Sequence, residues 1–171
     1  MGLRPAKCYK KVGRPYTRQS KKKPRRSYVK GIPSPKIVRF EQGNKKKEFS
    51  KKLVLVSTDK VQIRHNALEA ARIAANKILN DGLGAEGYFL KILVYPHNIM
   101  RENPLATGAG ADRFQTGMRK SFGHPIGMSA IVKENQKLIE VRVDSDKEMI
   151  AKKALKVAGS KFPIKCIIQS N

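Results

Sequence analysis

The first forty residues limit how much of this chain can fold on itself. From Met1 to Phe40 there are fourteen lysines or arginines and no acid, the first carboxylate being Glu41. Pro5, Pro15, Pro24, Pro33 and Pro35 interrupt the same stretch. Proline forbids continuous helix, and so dense a charge opposes a self-contained core. The reading is a basic extended N-terminal arm over residues 1–36, followed by a single folded domain over 37–171. Tyr9, Tyr16 and Tyr28 are interleaved with the cations. Cations meet phosphates and aromatic rings stack on bases, so the arm reads as a segment that orders on RNA. Its candidate contacts are Arg4, Lys7, Lys10, Lys11, Arg14, Tyr16, Arg18, Lys21, Lys22, Lys23, Arg25, Arg26 and Lys30.

The whole chain carries 37 basic against 13 acidic residues in 171, a formal net charge of +24. Such a surplus repels itself and calls for a polyanionic partner. No apolar run approaches the roughly 18 residues of a spanning helix, and the N-terminus has no hydrophobic signal core. A membrane partner is therefore not expected. Cys8 and Cys166 stand alone, without a CxxC or Cys/His cluster, which points away from zinc and disulfides and toward a reducing, cytoplasmic setting.

Hydrophobic periodicity divides the rest. Short strands are expected at Ile37–Glu41, Lys52–Ser57 and Val61–Arg64, with a turn over Gln42–Ser50. A helix follows, with Asn66 as cap, Glu69 as its capping-box partner, an apolar stripe of Leu68, Ala71, Ala75, Ile78 and Leu79, and a stop at Asn80–Gly82. Tyr88–Tyr95 reads as a strand closed by Pro96. Ile126–Val132 and Lys137–Val143 read as a hairpin. Ser145, with Glu148, caps a second helix that turns Ile150, Ala154, Leu155 and Ala158 inward and ends at Gly159; Ile164–Gln169 is the last strand. The order ββαβ, loop, ββαβ predicts an α+β fold, a two-layer α/β sandwich of helices on a mostly antiparallel or mixed sheet.

One stretch escapes both periods. ENPLATGAGADRFQTGMRKSFG, from Glu102 to Gly123, lies in a long internal loop of about 97–125, and loops of that length are functional or disordered. Gly108–Asp112 is not a phosphate loop: no Lys-Ser/Thr follows, Arg113 stands where a third glycine would be, and the preceding strand has ended well before it. His65, His97 and His124 lack metal-ligand spacing and suit loop-base hydrogen bonds. Glu102 and Asp112 have no rigid support that acid/base catalysis would need. Neither a catalytic residue, nor a metal, nor a cofactor is expected. The informative residues are cationic and aromatic: Arg101, Arg113, Phe114, Gln115, Arg119, Lys120 and His124, with Phe122 expected to anchor the loop to the core. The small residues 106–111 cannot bury a core, so order there has to come from a partner.

MGLRPAKCYK, GRPYTRQS, ALEAARIAANKIL, YFLKILVYPHNIMRENP and, above all, GADRFQTGMRKSFGHPIG resemble the large-subunit ribosomal proteins called L-ten-e in archaea and eukaryotes and L-sixteen in bacteria. The resemblance spans essentially the whole chain and is nearest the archaeal form; His124 departs from the lysine that the family pattern places before Pro125. It implies a hammerhead-type α/β sandwich and a structural, non-enzymatic role on the cytoplasmic ribosome. It also implies rRNA contacts in the 5S rRNA region near the aminoacyl-tRNA channel, with neighbouring ribosomal proteins as further partners and no obligate homo-oligomer. Carried onto these residues, the arm becomes the rRNA-binding element and Arg101, Arg113, Phe114, Gln115, Arg119, Lys120 and His124 the tRNA-proximal loop. A free-standing RNA-binding translation or assembly factor would share the charge and the arm; co-sedimentation with ribosomes through high salt separates the two.

Overall fold

The structure, a computed structural model, describes residues 3–11, 29–104, 119 and 121–170. The strand KLVLVS is its centre: β2 (Lys51–Ser57) is buried over its last five residues. It lies between β7 (Lys137–Val143) and β8 (Cys166–Ser170), antiparallel to both. β4 (Tyr88–Ile92) pairs with β7, and the short β1 (Glu41–Gly43) pairs with β4, giving a five-stranded antiparallel sheet in the order β1-β4-β7-β2-β8. A separate three-stranded antiparallel sheet, β3-β6-β5, is formed by β3 (Val61–Arg64), β6 (His124–Val132) and β5 (Asn98–Glu102).

Two helices, α1 (His65–Leu83) and α2 (Glu148–Gly159), pack against each other. Their facing stripes are rich in small residues: Leu68, Ala71, Ala75 and Leu79 on α1, and Ala151, Ala154, Leu155 and Ala158 on α2, all fully buried. Alanines in a packing stripe leave little side chain between the axes, which lets helices approach closely. α2 covers β2, β7 and β8, whereas α1 touches β4 and also β3 and β6, so α1 joins the two sheets. Leu53, Leu55, Leu90, Ile139 and Val141 face the helices in one continuous core that also includes Val61, Ile63, Ala130 and Val132 of the small sheet. This is the expected α+β class, with two antiparallel sheets where one was expected.

Several boundaries move, each for a local reason. α1 starts at His65 behind an extended Arg64, without a side-chain cap. Asn66 therefore lies inside the first turn, and Glu69 serves Arg72 (2.9 Å to Nε) and the Val38 amide (3.3 Å) instead of a capping box. The helix passes Gly82 and ends before Gly84, whose φ of 69° is the left-handed conformation that glycine adopts without a Cβ penalty. Ser145 opens a 3-10 turn, Ser145–Lys147, rather than capping α2, and its hydroxyl meets that of Ser50 at 3.0 Å. Ala151 replaces Ile150 in the fully buried set. The strand expected at Ile37–Glu41 begins only at Glu41, although Ile37 is buried. β4 stops at Ile92, short of Tyr95, and the last strand starts at Cys166 rather than Ile164.

The largest difference concerns the long loop. Its first residues form β5, and β6 begins at His124, so the stretch 97–125 has a paired β base. Met100 and Arg101 flank a register shift in that pairing. With only five residues, mixed polarity and a bulge, β5 carries no readable period of two.

Candidate nucleic-acid interface

The N-terminal segment folds back onto the small sheet. Ala6–Tyr9 forms a 3-10 turn where an extended chain was expected. The Gln62 amide of β3 donates to the Lys10 carbonyl at 3.1 Å. Arg64, at the end of β3, donates through Nη1 to the Arg4 carbonyl at 2.7 Å, and its guanidinium lies 5.9 Å from the Tyr9 ring centroid. Tyr9 donates its hydroxyl to Glu102 Oε2 at 3.2 Å, and Arg4 forms an ion pair with the same carboxylate. Burial, together with the bond to Glu102, pushes the Tyr9 phenol above its ordinary pKa, so it stays a donor. Glu102 is the last residue of β5, where the long loop departs.

The other end of the arm is also held. Val29 and Ile37 are buried, the Lys36 amide donates to His65 Nδ1 at 3.3 Å, and the Val38 amide reaches Glu69. Burial lowers the His65 pKa, with Lys36 and Arg64 adding to the effect, which keeps the ring neutral and able to accept.

At the loop root, Glu102 faces His124 across the β5–β6 pair and Arg101 faces Pro125. The Arg101 guanidinium lies 3.9 Å from the Phe122 ring centroid and also donates to the Phe122 carbonyl. Phe122 is 50% exposed, so it stacks on Arg101 and does not anchor the loop in the core as expected. Gly123, at φ 78°, passes close to the Glu102 backbone: a Cβ there would meet the Glu102 carbonyl carbon at 2.8 Å.

Of the arm residues singled out, Arg4, Lys7, Lys10, Lys11 and Lys30 are exposed, although the Arg4 guanidinium is engaged by Glu102. Arg14, Tyr16, Arg18, Lys21, Lys22, Lys23, Arg25 and Arg26 lie outside the described residues. In the loop group, Arg119 and His124 are exposed and Arg101 is half-buried, while Arg113, Phe114, Gln115 and Lys120 lie outside the described residues. The N-terminal end of the arm and the root of the loop thus meet at one end of the small sheet. Sequence reasoning weighed Glu102 only as a catalytic acid and passed over Arg64. The readable signal was a carboxylate placed at the root of a cationic loop.

Four further acids are paired within the domain. Glu41 pairs with Lys45 and Lys91, Glu140 with Lys52 and Arg142, Glu148 with Lys51 and Lys152, and Asp144 with Lys47. Hydrogen bonds from Lys45 and Lys91 hold Glu41 at a pKa of about 2, and those from Lys152 and Lys51 do the same for Glu148. Burial alone would raise Glu140, but the bonds from Lys52 and Arg142 outweigh it and its pKa lies below the usual carboxylate value. Internal pairs cancel charge of both signs and leave the formal net charge at +24. Burial raises the Cys166 thiol to a pKa of about 11, so it stays protonated at neutral pH. Among the described residues no group of three His, Cys, Asp or Glu is placed to hold a metal, and no helix is long and apolar enough to cross a membrane.

Comparison with known proteins adds an independent line. Residues 14–169 match the family described as ribosomal protein L16p/L10e. The chain is 50% identical over 165 residues to the large ribosomal subunit protein uL16 of Staphylothermus marinus, covering 96% of this chain and 91% of that protein. It is 44% identical over 169 residues to the protein of the same name from Methanococcus aeolicus, and 46% identical over 169 residues to that from Methanococcus maripaludis, each match covering 98% of this chain and 94% of the relative.

Proposed function

Because this chain belongs to the ribosomal protein L16p/L10e family, and is thus a structural, non-enzymatic constituent of the large ribosomal subunit, we propose that it binds rRNA in the 5S region near the aminoacyl-tRNA channel and helps to position tRNA. In this reading the arm, residues 1–36, neutralises phosphates. The domain, residues 37–171, sets orientation, and the loop of about 97–125 reaches toward tRNA on the cytoplasmic ribosome. Neighbouring ribosomal proteins are further partners.

The observation that supports this division is the meeting of arm and loop at Glu102, through Tyr9 and Arg4. A cationic arm and a cationic loop that leave the domain side by side can follow one RNA surface. Affinity for RNA should then depend steeply on salt, and deleting residues 1–30 should reduce the slope of log affinity against log salt by roughly 0.7 to 0.9 for each phosphate that the arm had neutralised. Chemical footprinting of reconstituted large subunits tests the loop. Replacing residues 104–119 by a short Gly-Ser linker keeps Glu102 and its partners. The expected result is assembly with loss of protection around the tRNA channel; identical footprints would refute the assignment of the loop.

A further inference from the structure

Three rings to which neither the arm nor the tRNA-proximal residues contribute lie in contact at the outer edge of the large sheet. Phe40 and Tyr95 lie with ring centroids 5.4 Å apart and planes 20° from parallel, and His97 lies 4.4 Å from Tyr95 at 44°. Tyr95 is 44% exposed, and His97 and the adjacent Arg39 are exposed.

The backbone holds this row in place from both sides. The Ile92 amide donates to the Phe40 carbonyl at 2.8 Å, which continues the β1–β4 pairing to the ring's own residue. The Leu93 amide donates to the Leu138 carbonyl at 2.9 Å, carrying the chain beyond β4 along β7. The His97 amide then donates to the Tyr95 carbonyl at 3.0 Å, a three-residue turn around the buried Pro96 that brings the two side chains together. A row of aromatic side chains fixed by strand pairing and a proline turn loses little freedom on binding.

We propose that Phe40, Tyr95 and His97 form a stacking platform for an unpaired nucleobase of RNA, with His97 as the outermost ring and Arg39 beside the row as a phosphate contact. The proposal rests on the chain being an RNA-bound constituent of the large subunit and adds to that reading a site outside the arm, between the edge of the large sheet and the first residue of the loop. Charge favours RNA as the occupant, since the chain carries +24 and the exposed Arg39 directly precedes Phe40 in sequence. The chemistry favours a base over the backbone, because a phosphate gains nothing from an aromatic face whereas any base can stack on one.

The test separates ring from charge. The full chain is titrated with an oligoadenylate of about twelve nucleotides, within the span that a single-strand platform covers, and with an abasic ribose-phosphate oligomer of the same length. Removing one stacked base is worth about 1–3 kcal/mol, so His97→Ala and Tyr95→Ala should each weaken oligoadenylate binding at least about five-fold. His97→Phe should retain the affinity and His97→Lys should not, while the abasic oligomer should bind the two alanine variants, His97→Phe and the unaltered chain alike and should bind His97→Lys no more weakly. Equal rescue by lysine and phenylalanine, an equal loss with the abasic oligomer, or no loss in His97→Ala would overturn the platform. If alanine lowers the melting temperature, so that the rings only roof the core, the phenylalanine and lysine variants still decide the matter. Incorporation into large subunits is measured separately by co-sedimentation. A chain that incorporates but does not stack sinks the platform alone, and one that stacks without incorporating sinks the wider reading.

Discussion

Glu102→Gln isolates the charge that joins arm to loop. The glutamine keeps the shape and an acceptor for Tyr9, but loses the ion pair with Arg4 and the ionic part of the Tyr9 bond. The Glu102 side chain is 13% exposed and that of Arg4 51%, so the pair belongs near the upper end of the 0.2–1 kcal/mol of surface pairs. Exchanging a charged for a neutral acceptor adds about 1 kcal/mol. Docking of residues 3–11 should therefore weaken by about 1–2 kcal/mol, which is about a five- to thirty-fold shift in local opening at roughly 1.4 kcal/mol per tenfold. The Gln62 amide reports this directly, because its acceptor is the Lys10 carbonyl of the docked segment. Hydrogen exchange at Gln62 should accelerate by that factor, while Val141 and other core amides, which open only with the whole domain, should not change. Unchanged exchange at Gln62 would refute the role given to Glu102. Equal acceleration at Val141 would show that the residue supports the domain and not the arm.

Two other outcomes follow from named contacts. Glu41 and Glu148 have folded pKa values of about 2 against an ordinary 4.5, so their stabilising contribution is fully present above about pH 4.5 and is lost as pH falls toward 2; urea unfolding at pH 5 and pH 2.5 should show the drop, and Glu148→Gln should flatten it. Gly123→Ala places a methyl against the Glu102 backbone at positive φ and should destabilise the loop root by at least about 1 kcal/mol, read as faster exchange of the β5 and β6 amides; unchanged exchange would mean that the root relaxes freely.

Much of the scaffold was legible because its signals are local. The apolar stripe of α1 and the run KLVLVS depend only on spacing along the chain, and both elements formed where they were expected. Helix starts were less legible. Glu69 satisfies the capping-box pattern with Asn66, yet Arg72 and the Val38 amide compete for the same carboxylate, and the second of these comes from a segment 31 residues away. β5 was missed because a five-residue strand with a bulge needs its partner β6 to be recognised at all.

Composition and period alone establish the surplus of cations, the absence of acid from the first forty residues, the two helical faces and the α+β class. Packing in three dimensions is what divides the strands between two sheets, brings Tyr9 and Arg4 to Glu102, and stacks Phe40 on Tyr95. The reason is sequence separation: Tyr9 and Glu102 are 93 positions apart. No periodicity links such residues; they meet because β3 and β5 flank β6, which places the docked N-terminal segment beside the root of the loop.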